Sequence, residues 1–264
     1  MTKYVRYEHA GTIRYGELSG TAVQPLDGEF GAWRRAPPPT LELADVKLLA
    51  PTLPSKIIAI GPNFYAPFRG ANALPPMELM YWTKPPTVLN HPEGVIELPP
   101  GVPAVNHEVE LAIVIGKRAK QVRRERAHEH ILGFTCMNDV TAGDLVTPGA
   151  FGASPYFIYG KIFDGFGPLG PCIVTDLDTR NLHLETRVNG KIRQSHSTSD
   201  RIHEPDEIVA RVSNVLTLYP GDVISMGSPP GVAPIVDGDV VEIEIEGIGV
   251  LRNYAKNRNA GARE

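Results

Sequence analysis

The sequence is poor in cysteine. Cys136 and Cys172 are the only two, and neither lies in a C-x-x-C. Two thiols cannot build a disulfide framework, so the pattern suits a reducing compartment. Long apolar runs are absent as well. Nothing approaches the roughly 20 residues needed to cross a bilayer, and the opening stretch MTKYVRYEHAGTIRYGEL lacks the apolar centre of a signal peptide. A cytoplasmic protein with no membrane partner is expected. Blocks of a single charge are missing too. The net charge is -4, and the densest basic run, GKRAKQVRRER, is short and soon followed by acids. It reads as a solvated helix face, so nucleic acid is not an expected partner.

Glycine and proline are plentiful, at 26 and 25 of 264 residues. Between them lie short runs that read as strands: KYVRYE, TIRYGEL, SKIIAIG, GFTCMNDV, GPCIVTD, HLETRVNGKIRQ, DVISMG and DVVEIEIEG. Ala10-Gly11 and Asn189-Gly190 separate alternating runs, as hairpin turns do. One short helix is expected from Arg124 to Ile131. A second is expected in EPDEIVARVSNVLTL, with Pro205 in its first turn. The fold class is therefore mainly β with a few helices (α+β), with a curled or barrel-like sheet. Residues 1–50 read as a small N-terminal β domain ending in the proline-rich RAPPPTLELAD, and residues 51–264 as the main domain. The stretch PNFYAPFRGANALPPMELM is too broken by proline for a long helix and too long for an ordinary connection. Loops of that kind are often lids or site walls.

The stretch with most chemical content is NHEVELAIVIGK. Its apolar part, Leu111 to Gly116, reads as a strand buried on both faces, yet it opens with Glu108 and Glu110, two apart and so on one side of a strand. Like charges at the mouth of a buried strand need a cation between them. Alternation alone is weak evidence, because Glu242, Glu244 and Glu246 alternate in VVEIEIEG simply by facing water. A third acid strengthens the case: the apolar strand GFTCMND ends in Asp139. Three carboxylates without a nearby cysteine suit Mg²⁺ or Mn²⁺ better than zinc. Lys161 stands among apolar neighbours in FIYGKIFDGFG and has two readings, a snorkelling surface lysine or a hydrogen bond to a substrate beside the metal. In YPGDVISMGSPPGV, the turn after a strand offers the Ser228 hydroxyl and nearby backbone N–H groups, Gly227 among them, to a carboxylate. Two literal matches fail. GFGPLG fits G-x-G-x-x-G but contains Pro168 and leads into a strand, not a helix. HEVEL has no second histidine four residues on. His128 and His130 point to different helix faces and read as solvated.

Taken in order, these stretches resemble the fumarylacetoacetate hydrolase superfamily, near its 2-hydroxyhepta-2,4-diene-1,7-dioate isomerase-like members. The resemblance runs through LLAPTLPSKIIAIGPNF, YWTKPPTVL, HEVELAIVIGKRAK, GFTCMNDVTAGDL, GKIFDGFGPLGP, RVNGKIRQ, LYPGDVISMGSPPGV and GDVVEIEIEGIGVLRN, and is loose only over residues 1 to about 45. It implies a mixed β-sandwich roll, usually a homodimer, binding Mg²⁺ or Mn²⁺ through Glu108, Glu110 and Asp139. It makes Lys161 the active-site lysine and puts Ser228 where the family's turn has threonine. It implies small 2-oxo or 1,3-dioxo acids as substrates, and C–C hydrolysis, decarboxylation or keto–enol isomerisation as reactions. Two departures matter. The family's water-activating histidine and glutamate fall on Pro67 and Gly70, and a frequent substrate-binding arginine falls on Gly143. Decarboxylation or isomerisation is therefore expected over hydrolysis, since proline and glycine side chains cannot take a proton from water. A non-catalytic metal- or ligand-binding descendant is the alternative of another class.

Overall fold

The computed structural model describes residues 1–69, 74–76, 78–143 and 158–258. Strands dominate, and glycine-rich turns set their pairing. Lys3–His9 and Thr12–Ser19 form a hairpin that turns at Ala10 (φ 48°) and Gly11 (φ 74°). His183–Val188 and Lys191–Ser197 form another, turning at Asn189 (φ 52°) and Gly190 (φ 72°). Paired positive φ values match the twist of the flanking strands. Two further strands, Ala22–Glu29 and Ala32–Arg35, extend the first hairpin into a meander. Their pattern is hard to read in sequence because Pro25 sits inside the first.

The meander is hydrogen-bonded into a large sheet, with Lys3 opposite Val174 and Tyr4 opposite Ile173. From its free edge the sheet runs Ala32–Arg35, Ala22–Glu29, Thr12–Ser19, Lys3–His9, Gly167–Val174, Ile131–Asn138, Val109–Ile115, Val223–Ser225, Ile57–Ile60 and Tyr81–Lys84. A second sheet runs Val95–Leu98, Gly249–Asn257, Val240–Ile245, His183–Val188 and Lys191–Ser197. The two share one core, in which Leu184, Ile243 and Leu251 of the second join Leu111, Ile113 and Cys136 of the first. In Val240–Ile245 the residues Val241, Ile243 and Ile245 face inward, while Glu242 and Glu244 turn outward to Arg187, the ordinary arrangement for a half-buried strand. Pro205–Val215 is an α-helix, here α1, and seals one side through Ile208, Val209 and Val212. The short helix expected at Arg124 is a 3₁₀ segment, Arg124–His130, with His128 exposed. The Gly167–Val174 strand begins within GFGPLG, so those glycines open no helix.

Two features position the site. Val109–Ile115 is buried at all seven positions and lies between Ile131–Asn138 and Val223–Ser225. Beside it a three-stranded ribbon pairs Val105–His107 with Thr141–Ala142 on one side and Ala233–Ile235 on the other.

Candidate metal centre and its cavity

Strand pairing brings the three acids together. Val109 lies opposite Asn138 in the antiparallel pair, so the entrance of one strand sits beside the exit of the other. Glu108 and Glu110 stand at that entrance and Asp139 at that exit. One carboxylate oxygen from each lies within 4.8 Å of the others. Glu110 and Asp139 are each 1% exposed. Each acid is fixed by neighbours. The Thr141 hydroxyl lies 2.6 Å from Glu108 Oε1, and the Glu108 N–H is donated to Asn138 Oδ1 at 2.8 Å. The Ser225 hydroxyl and the Gly227 N–H both donate to Glu110 Oε2, at 2.5 and 2.8 Å. Gly227 is required there: its φ is 89°, and a Cβ would lie 2.9 Å from the Asn63 side chain.

Lys161 is no surface lysine. It ends the 3₁₀ segment Tyr159–Lys161, is 4% exposed, and its Nζ lies 2.9 Å from Glu108 Oε2 and 2.7 Å from Asp139 Oδ2. The Trp82 ring is 5.7 Å from the same ammonium. A second lysine, Lys84, is wholly buried. Its ammonium donates to Asp139 Oδ1 and, at 2.8 Å, to the Phe166 carbonyl. Asp139 therefore carries a lysine on each oxygen.

The electrostatics follow from this geometry. Burial pushes the Glu110 carboxyl well above the usual carboxylate range, and the nearby Asp139 and Glu108 push it further. Burial also raises Glu108; Lys161 opposes the shift, and Asp139 adds to it. Burial alone would raise Asp139, but Lys161 and Lys84 together hold it below its ordinary value. Burial disfavours the Lys161 ammonium, yet Asp139, Glu108 and Glu110 outweigh that and raise its pKa, so Lys161 keeps its proton. The donor set is all oxygen, and Lys161 already stands as a cation between two of the three acids. Among the described residues, Glu110 has no cation of its own within hydrogen-bonding distance. The residues thus fit a hard divalent ion, with Glu108, Glu110 and Asp139 to hold it.

A cavity of about 480 Å³ opens beside the cluster, within the range of small-molecule sites. Asn106, Glu108, Glu110, Thr141, Lys161 and Ser228 form its polar wall. Pro67, Phe68, Trp82, Pro229, Pro230 and Val232 are prominent on the apolar side. Ser228 accepts a hydrogen bond from Gln194 Nε2 at 2.9 Å, which leaves its own proton free to donate. The Gly227 N–H, in contrast, serves Glu110. Gln194 is buried and also donates to the Pro229 carbonyl at 2.7 Å, while its Oε1 accepts from Val109 N, Thr186 Oγ1 and His107 Nδ1 at 3.1, 2.9 and 3.0 Å. His107 is thus turned away from the acids, as alternation requires. Pro67 lies on the cavity wall, whereas Gly70 falls outside the described residues. The segment before Gly70 is clamped by one residue: Tyr65 N–H donates to the Asp200 carbonyl, Ala66 N–H to Asp200 Oδ2, both at 2.9 Å, and Arg69 pairs with Asp200 Oδ1. A second hollow, along Arg118, Lys120, Arg123 and Arg126, shares no residue with this cavity.

Residues 56–255 match the model of the fumarylacetoacetate (FAA) hydrolase C-terminal family, and residues 2–51 that of the Rv2993c-like N-terminal family. The mitochondrial oxaloacetate tautomerase FAHD2A of Bos taurus is 40% identical over 226 residues, covering 81% of this chain and 71% of the bovine protein. Among solved structures, 5-carboxymethyl-2-hydroxymuconate delta-isomerase from Mycobacterium smegmatis is 40% identical with a TM-score of 0.86, covering 97% of this chain and 100% of that one. Maleylpyruvate hydrolase from Sphingobium sp. SYK-6, solved with manganese(II) and pyruvate, is 27% identical with a TM-score of 0.76, covering 97% and 99%.

Proposed function

The chain belongs to the fumarylacetoacetate hydrolase family, and from that premise we propose that it is a divalent-metal-dependent enzyme that isomerises or decarboxylates small 2-oxo or 1,3-dioxo acids. The observation that carries the choice of reaction is the composition of the cavity wall. The acids and the lysine are complete, but no described wall residue is free to take a proton from water. The three carboxylates are reserved for the ion, Lys161 is protonated, and Pro67 stands where the family carries a base. Two nearby histidines and Arg69 supply no such base either: His91 accepts the Ala50 N–H, Arg69 is paired with Asp200, and His107 faces Gln194.

A bound Mg²⁺ or Mn²⁺ would supply Lewis-acid polarisation of the substrate's keto oxygen. The remaining work belongs to the chain. Lys161 holds its proton at Nζ beside the carboxylates and is the acid nearest a keto oxygen bound there. The Ser228 hydroxyl donates to the substrate carboxylate. Trp82, Phe68 and the prolines keep bulk water out. In isomerisation Lys161 gives its proton to the keto oxygen and, as the neutral amine so formed, takes the proton that leaves the neighbouring carbon, so the lysine ends protonated as it began. In decarboxylation the C–C bond to the departing CO₂ breaks and its electron pair moves toward the keto oxygen, with a proton returned to carbon. Neither reaction needs an activated water. The tautomerase and isomerase among the relatives support this reading, and the maleylpyruvate hydrolase supports C–C cleavage as the alternative.

Proton exchange separates the readings. With Mn²⁺, the protein should speed loss of the C3 proton signal of oxaloacetate in D₂O, and Lys161→Met should depress that rate far more than it weakens metal binding. No acceleration would make the protein a binder. Efficient cleavage of acetylpyruvate would make it a hydrolase.

A further inference from the structure

Pro67 and Phe68 share the cavity wall with Glu108, Glu110 and Lys161, yet little packing holds them there. They belong to the 3₁₀ turn Ala66–Phe68, in which no residue is buried. Pro67 has no N–H to anchor. Within the turn, the Phe68 N–H donates to the Tyr65 carbonyl at 2.9 Å and the Arg69 N–H to the Ala66 carbonyl at 3.3 Å. A single turn of this kind does not hold itself in water. Its place must be set from outside.

Up to Tyr65 the backbone sets it. The Ile202 N–H donates to the Asn63 carbonyl at 3.0 Å, Phe64 bridges Arg201, and the Tyr65 N–H donates to the Asp200 carbonyl at 2.9 Å. There the ladder ends. Beyond it, among the described residues, the polar contacts of Ala66–Arg69 with the rest of the chain converge on the Asp200 carboxylate. The Ala66 N–H donates to Oδ2 at 2.9 Å, and the Arg69 guanidinium pairs with Oδ1. One contact holds the start of the turn and the other its end. Asp200 is itself well seated. It is 7% exposed, it closes the 3₁₀ segment Thr198–Asp200, and His196 Nε2 lies 2.9 Å from its Oδ2. Thr198 in the same segment is buried and donates to the Leu182 and Thr179 carbonyls, at 2.9 and 2.7 Å. The Phe64 ring packs edge-on against His196. A firm carboxylate thus carries a turn that has little else to rest on.

We infer that Asp200 is a positioning residue for the site. It does not line the cavity. It holds Pro67 and Phe68 as a wall that stands before the substrate arrives, so that binding need not order the turn. The clamp rests on the geometry; its effect on substrate rests on the function proposed above.

Two variants test it on the Mn²⁺-loaded protein. Asp200→Asn keeps the size and one oxygen for Ala66 but loses the charge facing Arg69. Arg69→Gln, at an exposed position, frees the end of the turn and leaves Asp200 in place, so it decides the matter if Asp200→Asn fails to fold. A wall that serves ground state and transition state alike acts on KM. Both variants should raise KM for C3 proton exchange of oxaloacetate by about fivefold or more, while kcat and the Kd for Mn²⁺ change by less than about twofold. Amide hydrogen exchange across residues 64–69, followed by mass spectrometry without substrate, should quicken in both. A merely structural aspartate would lower the melting temperature and leave KM where it was. Unchanged KM in the folded variants, or unchanged exchange over 64–69, overturns the inference and leaves the proposed function standing. Absence of oxaloacetate exchange in the wild type overturns the proposed function, and with it the effect on KM; the amide exchange of the variants still decides the clamp.

Discussion

Glu110 shows how a single buried residue would couple the proposed metal binding to protons. Burial and two acidic neighbours favour its protonated form, yet an ion needs the carboxylate. Metal uptake must therefore expel a proton, and affinity must fall as the pH is lowered. We expect the apparent Kd for Mn²⁺ to weaken steadily from about pH 8 to pH 5, with proton release measurable by calorimetry in buffers of different ionisation enthalpy. Glu110→Gln keeps the shape and removes the charge. It should cost more than the roughly 10–100-fold typical of losing an outer-sphere partner. A pH-independent Kd in wild type, or unchanged affinity in the variant, would remove Glu110 from the ligand set. Asp139 is different: with both oxygens on lysines it is already ionised, and Asp139→Asn should weaken binding strongly without altering its pH slope.

At the scale of elements, Gln194 joins the second sheet to the turn at Ser228 and to the start of the metal strand. Gln194→Leu leaves several buried groups unpaired, at about 1–3 kcal/mol each, and should lower the melting temperature by several degrees. Gln194→Glu retains the accepting oxygen but loses the donor to Ser228 and Pro229. It should raise KM by roughly tenfold with the smaller loss of stability. Equal effects on both quantities in the two variants would mean that the turn needs no such support. The two elements differ in how they could be read from sequence. The metal strand was legible because two acids at a spacing of two precede a run apolar on both faces. The hairpins were legible because Ala10-Gly11 and Asn189-Gly190 can take positive φ. Lys84 and Gln194 were hidden, since lysine and glutamine in short strands usually face water. The one available signal was phase: Trp82 and Lys84 share the buried face of Tyr81–Lys84, and Gln194 is the buried position amid exposed neighbours in Lys191–Ser197. The order of the large sheet was not legible at all, because Lys3–His9 pairs with a strand more than 160 residues later.

At the scale of the whole molecule, two histidines tie stability to pH. His91 accepts the Ala50 N–H at Nδ1, and burial, with Arg6 and Lys47, lowers its pKa. His107 gives Nδ1–H to Gln194 and has a buried Nε2 without a partner; burial lowers its pKa too. Below the unfolded value of about 6.5, the unfolded chain takes up these protons before the folded one. Stability should therefore be fully present above about pH 7 and decline as the pH falls below 6.5. Denaturant midpoints across that window check it, and replacing His91 and His107 with glutamine should flatten the slope. The lysines beside Asp139 act at this scale as well. With Lys161 bridging Glu108 and Asp139, and Lys84 behind, the acids do not depend on a metal ion to stay folded. The chain carries its own placeholder cation. On the proposed function, loss of the ion would idle the protein without condemning it to proteolysis, and the same molecule could be recharged when the ion returned.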